Sequence, residues 1–312
     1  EVKGSGGAVR IEQLLFDRSQ ELPKHEAKLL FQDLHLEHFV DLPSQLPPSL
    51  SARAVWTGEG VGLRQLRGSL DLVVEPFELA GRRVEVPASK LLVTGTSVQA
   101  QGLNVLFAGG AIEGTGLTSL ETGEFSADLQ GSFPRVEKLL AGGLGGVLSL
   151  ETHLEGNWKA LETNPVHSDG KASIYGLFLG DLRGEQAEAT WDLEISRNDD
   201  QLSLFGPLEF RADRLLVPGI PPMARASLST TLRGRSADIS LQGSDGPELL
   251  ASLRARVDWN KLPSISLEGE SLELLAGDFV LQSQEPFSLR ARDGRFSLNR
   301  LMLTSGEGSV SV

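Results

Sequence analysis

Cysteine is absent from the 312 residues, so no disulfide framework, thiolate metal site or cysteine nucleophile is available. Tyrosine occurs once and aromatic residues make up 6%, too few for the aromatic platforms of a β-helix carbohydrate-active enzyme. Lys and Arg number 29 against 42 Asp and Glu, and a formal net charge of -13 excludes a surface that tracks nucleic-acid phosphates. No run of eighteen apolar residues is present, and no basic segment followed by an apolar one opens the chain, so neither a helical membrane span nor an export signal is read. Also missing are the G-x-S-x-G elbow, the G-x-x-x-x-G-K loop, the G-x-G-x-x-G fingerprint and the H-E-x-x-H helix. The expectation is a non-enzymatic chain with no catalytic residue and no cofactor.

What the sequence has instead is glycine, 35 residues of it, and alternation with a period of two from one end to the other. Leu148, Leu150, Thr152 and Leu154 share one face of a strand, with Ser149, Glu151 and His153 on the other. Ala187, Ala189, Trp191, Leu193 and Ile195 repeat the pattern against Glu188, Thr190, Asp192 and Glu194, as do Leu253, Ala255, Val257 and Trp259 against Arg254, Arg256 and Asp258. Shorter copies are Leu70, Leu72 and Val74; Phe125, Ala127 and Leu129; Phe287, Leu289 and Ala291; and Phe296 with Leu298.

Turn-forming clusters punctuate these runs at Thr57-Gly58-Glu59-Gly60, Glu113-Gly114-Thr115-Gly116, Ser196 to Asp200 and Arg292-Asp293-Gly294-Arg295. Such short links predict antiparallel hairpins. Leu34 to Leu42 and Val136 to Leu140 are each expected to form a turn or two of helix before a Pro- or Gly-rich link, and each is followed by an alternating strand. Together with a fainter copy from Leu215 to Gly234 they read as a degenerate repeat. The chain is expected to be one elongated β unit over 1-312, with possible sub-units 1-135 and 136-312. Beginning at Glu1 and stopping in mid-alternation at Val312, it reads as a piece of a longer protein.

Two groups of ligand-type residues stand out. His35 and His38 at i and i+3, beside Asp33, Glu37 and Asp41, place two imidazoles on one helical face, but no third ligand is fixed and they read as solvated. Asn198, Asp199 and Asp200 read as an acidic hairpin turn rather than a calcium site. No metal is assigned.

In texture, the phrases Leu148 to Gly156, Phe125 to Phe133 and Phe296 to Val312 resemble the strand repeats of the TamB and wider AsmA-like proteins. The resemblance covers nearly the whole chain and rests on no invariant motif. It implies a long, curled, mostly antiparallel sheet, a β-taco or half-pipe with an apolar groove, that carries phospholipid acyl chains between the inner and outer membranes. It also implies a periplasmic setting in a Gram-negative-type envelope, an inner-membrane anchor outside this chain, and a possible outer-membrane barrel partner of the TamA type. On alternation, the expected lining is Leu70, Leu72, Leu148, Leu150, Leu154, Trp191, Leu193, Leu253, Val257, Trp259, Phe296 and Leu298. The rival expectation is an envelope scaffold, or an outer-membrane-protein assembly factor, with a dry β core.

Overall fold

The computed structural model describes residues 2–4, 7–19, 22–35, 49–79, 81–139, 143–160, 163–198, 201–216, 222–245, 248–261, 264–276, 279–292, 295–305 and 308–311. The chain forms two compact units, one made of residues 1–139 and 149–166, the other of 140–148 and 167–312. Both are all-β and antiparallel, as the alternation predicts, and among the described residues the only helical pieces are single 3-10 turns at Leu63–Gln65 and Val136–Lys138. The second of these falls where Val136 to Leu140 was expected to be helical. For the other, Leu34 ends a strand, and residues 36–42 lie outside the described residues. No helix among the described residues is long and apolar enough to cross a membrane.

The first unit is a meander of β1 (Val2–Gly4), β2 (Gly7–Asp17), β3 (Lys24–Leu34), β4 (Leu50–Glu59), β5 (Arg67–Leu79), β6 (Arg82–Thr94), β7 (Ser97–Phe107), β8 (Gly110–Ser119) and β9 (Glu124–Phe133), each paired with the next. β10 (Leu144–Asn157) pairs with β9 and gives residues to both units. In the second unit β11 (Val166–Leu179) precedes β12 (Leu182–Asn198), β13 (Gln201–Leu215), β14 (Met223–Gly234), β15 (Ser236–Asp245), β16 (Glu248–Lys261) and β17 (Ser264–Ala276), and β12 to β17 pair in sequence order. The far edge of β17 is shared. β18 (Phe279–Ser283) pairs with its Glu273–Ala276 end, and β19 (Phe287–Arg292) with residues 265 to 269. β20 (Arg295–Asn299) follows β19, while β21 (Met302–Ser305) and β22 (Gly308–Ser311) continue from β18.

Tight hairpins set these registers. Phe107 pairs with Gly110 across Ala108 and Gly109, both at positive φ, 53° and 77°, the combination that matches the twist of a two-residue hairpin. Asn198 pairs with Gln201 and Arg292 with Arg295, so β12 with β13 and β19 with β20 pair antiparallel on either side of these clusters; Ser196 to Asn198 belong to β12, and residues 199–200 and 293–294 lie outside the described residues. Two other expected turns are strand interior instead. Thr57 to Glu59 lie in β4, and Glu113 to Gly116 lie in β8. Glycine there answers crowding rather than chain reversal. The Trp56 ring lies against Gly58 and against its partner Gly68, and Gly114 is pressed by the backbone of Asp128 and the Leu129 side chain, so a Cβ would collide at each position.

Bulges keep one face consistent. β2 takes an extra residue between Ile11 and Gln13, so that Val9 and Ile11 before it and Leu14 and Phe16 after it pair with Phe31, Leu29, Ala27 and His25 on a single face. In β17 the shift opposite Arg254 and Ala255 leaves Leu272 and Leu274 on the same face as Gly269 and Leu267. Without it a period of two would have turned one pair outward.

Within each unit, among the described residues, the strand pairs in substantial contact are hydrogen-bonded neighbours. Among the described residues, eight of the fourteen buried apolar ones are alanines, and Val136 is the one large side chain that is fully buried. The chain exposes 19427 Å². Two separate compact bodies, each half of the 33.5 kDa mass, would together expose about 15,000 Å².

Candidate apolar face

In the second unit the register stacks apolar residues in rows across the strands. One row runs Ala189, Phe210, Leu228, Leu241 and Leu253 to Leu272; the next runs Trp191, Leu208, Thr230, Ile239 and Ala255 to Gly269 and Phe287. A third joins Gly206, Leu232, Ala237, Val257, Leu267, Leu289 and Leu298. The polar groups on this face are satisfied locally. Thr230 Oγ1 donates to the Asp238 carbonyl at 3.0 Å, and Trp191 Nε1 donates to Ser168 Oγ at 3.1 Å. Phe287 is buried at 8% exposure, while the large aliphatic side chains are more open, with Leu241 at 39% and Leu298 at 38% exposed. Each has one side against its row and another toward solvent.

The first unit repeats the scheme. Leu14, Ala27, Trp56, Leu70, Leu91, Ala100, Gly116 and Ala127 form one row, and Ile11, Leu29, Ala54, Leu72 and Ser89 begin another. At one end of the face His25 stacks between Phe16 (6.3 Å between centroids, 8° between planes) and Trp56 (5.8 Å, 17°). Trp56 Nε1–H donates to His25 Nδ1 at 2.6 Å, which leaves Nε2 as the donor toward the Gly60 carbonyl at 3.2 Å. Both ring nitrogens are occupied within the protein, so this histidine ties β3 to Trp56 of β4 and to the Gly60 carbonyl.

The reverse face of the second unit carries polar and charged rows, whereas that of the first unit also exposes Leu15, Val55, Val73 and Leu117. In the second unit Glu188, Arg211, Ser227, Gln242 and Ser252 form one row. Arg256 Nε donates to Asp238 Oδ1 at 2.8 Å, and Arg233 Nη2 lies 3.1 Å from Oδ2. The Arg256 hydrogen bond, with Arg233 adding its charge, holds the Asp238 carboxyl below the usual aspartate value, and the same bond raises Arg256. On β10, His153 Nδ1 sits 2.8 Å from Asp128 Oδ1. In the second unit His167 lies 3.6 Å from Asp192. Among the described residues no three His, Asp or Glu side chains come together as a metal site. Of the pair His35 and His38, His38 lies outside the described residues. The concavities on this side are polar, one of about 340 Å³ lying among Gln186, Glu188, Arg211, Asp213, Arg225 and Ser227.

The twelve residues singled out from the sequence fall as follows. Leu70 and Leu72 sit on the face of the first unit, paired with Trp56 and Ala54. Leu150 and Leu154 also belong to that unit, with Leu150 against Gly131, whereas Leu148 belongs to the second. Trp191, Leu193, Leu253, Val257 and Trp259 are half-buried in β12 and β16 of the second unit. Leu298 pairs with Leu289, and Phe296 occupies the position opposite Ala291. Not anticipated were Trp56, His25, Phe210 and Leu228. The signal for the last two was present as alternation in β13 and β14, but Gly206 and the register with β12 obscured it. Comparison with protein-family models, curated proteins and solved structures gives no match.

Proposed function

We propose that the chain is a non-enzymatic lipid conduit whose apolar sheet face receives phospholipid acyl chains while the charged face stays hydrated. The observation that carries this reading is the set of apolar rows across successive strands of each unit, with large aliphatic side chains such as Leu241 and Leu298 left half-open. An acyl chain laid on such a surface gains about 0.8 kcal/mol for each methylene removed from water, which lowers the barrier to leaving a bilayer and requires no reaction. Leu and Val walls also adapt to a disordered chain more readily than a rigid aromatic slot does. The envelope setting, the membrane anchor outside this chain and an outer-membrane barrel partner belong to the same proposal.

The second reading is a scaffold or assembly factor with a dry core, and one observation favours it: Trp56 lies along its own sheet and covers glycines that a guest would otherwise touch. Lipid extraction and mass spectrometry of the purified chain separate the two. On the conduit reading phospholipid co-purifies, and Leu150→Arg or Leu193→Arg lowers its recovery while the circular dichroism of the β fold persists. A lipid-free preparation that also stays empty after incubation with phospholipid vesicles sinks the conduit.

A further inference from the structure

β6 opens with Arg82, which pairs with Leu79 across the hairpin from β5. Two residues on, and therefore on the same face, Val84 pairs with Phe77 on one side and Phe107 on the other and is 3% exposed. Arg82 thus stands on the apolar face of the first unit, whereas Arg83 points to the other side and is ion-paired with Glu85 at 2.8 Å. Tracing that face by register through the paired residues of β2 to β9, Arg82 is its one Lys, Arg, Asp or Glu among the described residues.

Its Nη1 is buried from solvent and has no hydrogen-bond partner. A charged donor in that condition is unfavourable on its own, because water has been removed and nothing has replaced it. A long basic side chain at the end of a strand usually escapes by extending its head into water. Here Nη1 stays buried, while the residue as a whole is half-exposed. What it lacks is an acceptor of opposite charge, and its planar fork of N–H groups fits the two oxygens of a carboxylate or a phosphate.

We propose that Arg82 is the head-group site of the apolar face, binding the oxyanion of a singly tailed or phosphate-headed amphiphile whose aliphatic part lies over the half-buried Leu79 and Phe77. The inference rests on the reading of this face as an acyl-chain surface and adds to it a polarity: the guest enters with its anionic end fixed at the β5–β6 hairpin end of the strands. Such a site prefers an anion on a tail to the same tail without charge.

Equilibrium dialysis of the full chain against dodecanoate, dodecyl phosphate, dodecanol and inorganic phosphate, each below its micelle-forming concentration, tests this. A charge-assisted hydrogen bond in a partly dry site is worth roughly 1.5–3 kcal/mol, so both anionic amphiphiles are expected to bind on the order of ten- to a hundredfold more tightly than dodecanol. Arg82→Gln should abolish that preference, and Arg82→Lys should keep part of it. The comparison among probes on the native chain needs no variant, so it holds even if a substitution impairs folding. Equal binding of dodecanoate and dodecanol to the native chain, or a preference that survives Arg82→Gln, overturns the head-group site while leaving the acyl-chain surface intact. Inorganic phosphate binding as tightly as dodecyl phosphate overturns it too, since the site then takes a free anion. If no tailed probe binds at all, the acyl-chain reading itself fails and the head-group site fails with it.

Discussion

Two adjacent rows on one face of the second unit are buried to very different degrees. Ala187, Ala212 and Ala226 are 2%, 1% and 5% exposed, whereas Leu241, in the next row, is 39% exposed. A second sheet packed on top would have covered both rows alike. Around Ala187 and Ala212 burial is lateral: together with the buried Leu177 they form a cluster against which Leu144, Ile174, Leu182, Phe210 and Leu215 pack. Small residues thus make up much of the core of this sheet, beside Leu177, Met223 and Phe287, while large ones such as Leu241 stay open to solvent.

The sharpest way to break that comparison is to place a charge in the small row. Ala212→Glu buries a carboxylate among Leu177, Phe210 and Leu215 with no partner in view, and it should cost about 3 kcal/mol or more, read as a shift of the urea midpoint. A loss below about 1 kcal/mol would mean that the row is open and that the lateral account is wrong. Leu193→Arg, on the wall, should cost no more than about 1 kcal/mol, because the arginine stem can lie along the neighbouring aliphatics with its head in water. Were the two substitutions to cost the same, the walls would be as dry as the alanine row, and the scaffold reading would gain what the conduit loses.

Much of this arrangement was legible beforehand, for a physical reason. Side chains alternate strictly along a strand, so Trp191, Leu193, Leu253 and Val257 could be assigned to one face without knowing their neighbours. Glycine misled. Gly58 and Gly114 read as turns, yet they lie inside strands because Trp56 and Leu129 occupy the space above them, a contact between residues whose pairing local sequence does not reveal. Bulges were hidden for a similar reason, since the extra residue in β2 looks like a broken pattern until β3 is laid beside it. Arg82 was overlooked because a charged residue next to a Gly-containing hairpin reads as solvated; only the pairing of Leu79 with Arg82, and of Val84 with Phe77 and Phe107, puts it among apolar neighbours.

The smallest expected effect lies on the opposite face, where the comparison predicts that charge contributes little to stability and much to hydration. Asp238 accepts from Arg256 and sits beside Arg233, and the Arg256 hydrogen bond leads in lowering its pKa. A carboxyl that ionises more readily in the folded chain than in the unfolded one adds stability at neutral pH, and this is lost as pH falls below the usual aspartate value and through the folded midpoint. Carboxyl NMR titration should therefore place Asp238 below an ordinary aspartate. Arg256→Gln should move its midpoint up, and Arg233→Gln should move it by less. Because all three side chains are solvent-accessible, the urea midpoint of either variant should barely change, and added salt should blunt the titration shift. A large stability loss from Arg256→Gln would instead show that the charged face is structural, and the division of labour between the two faces would have to be redrawn.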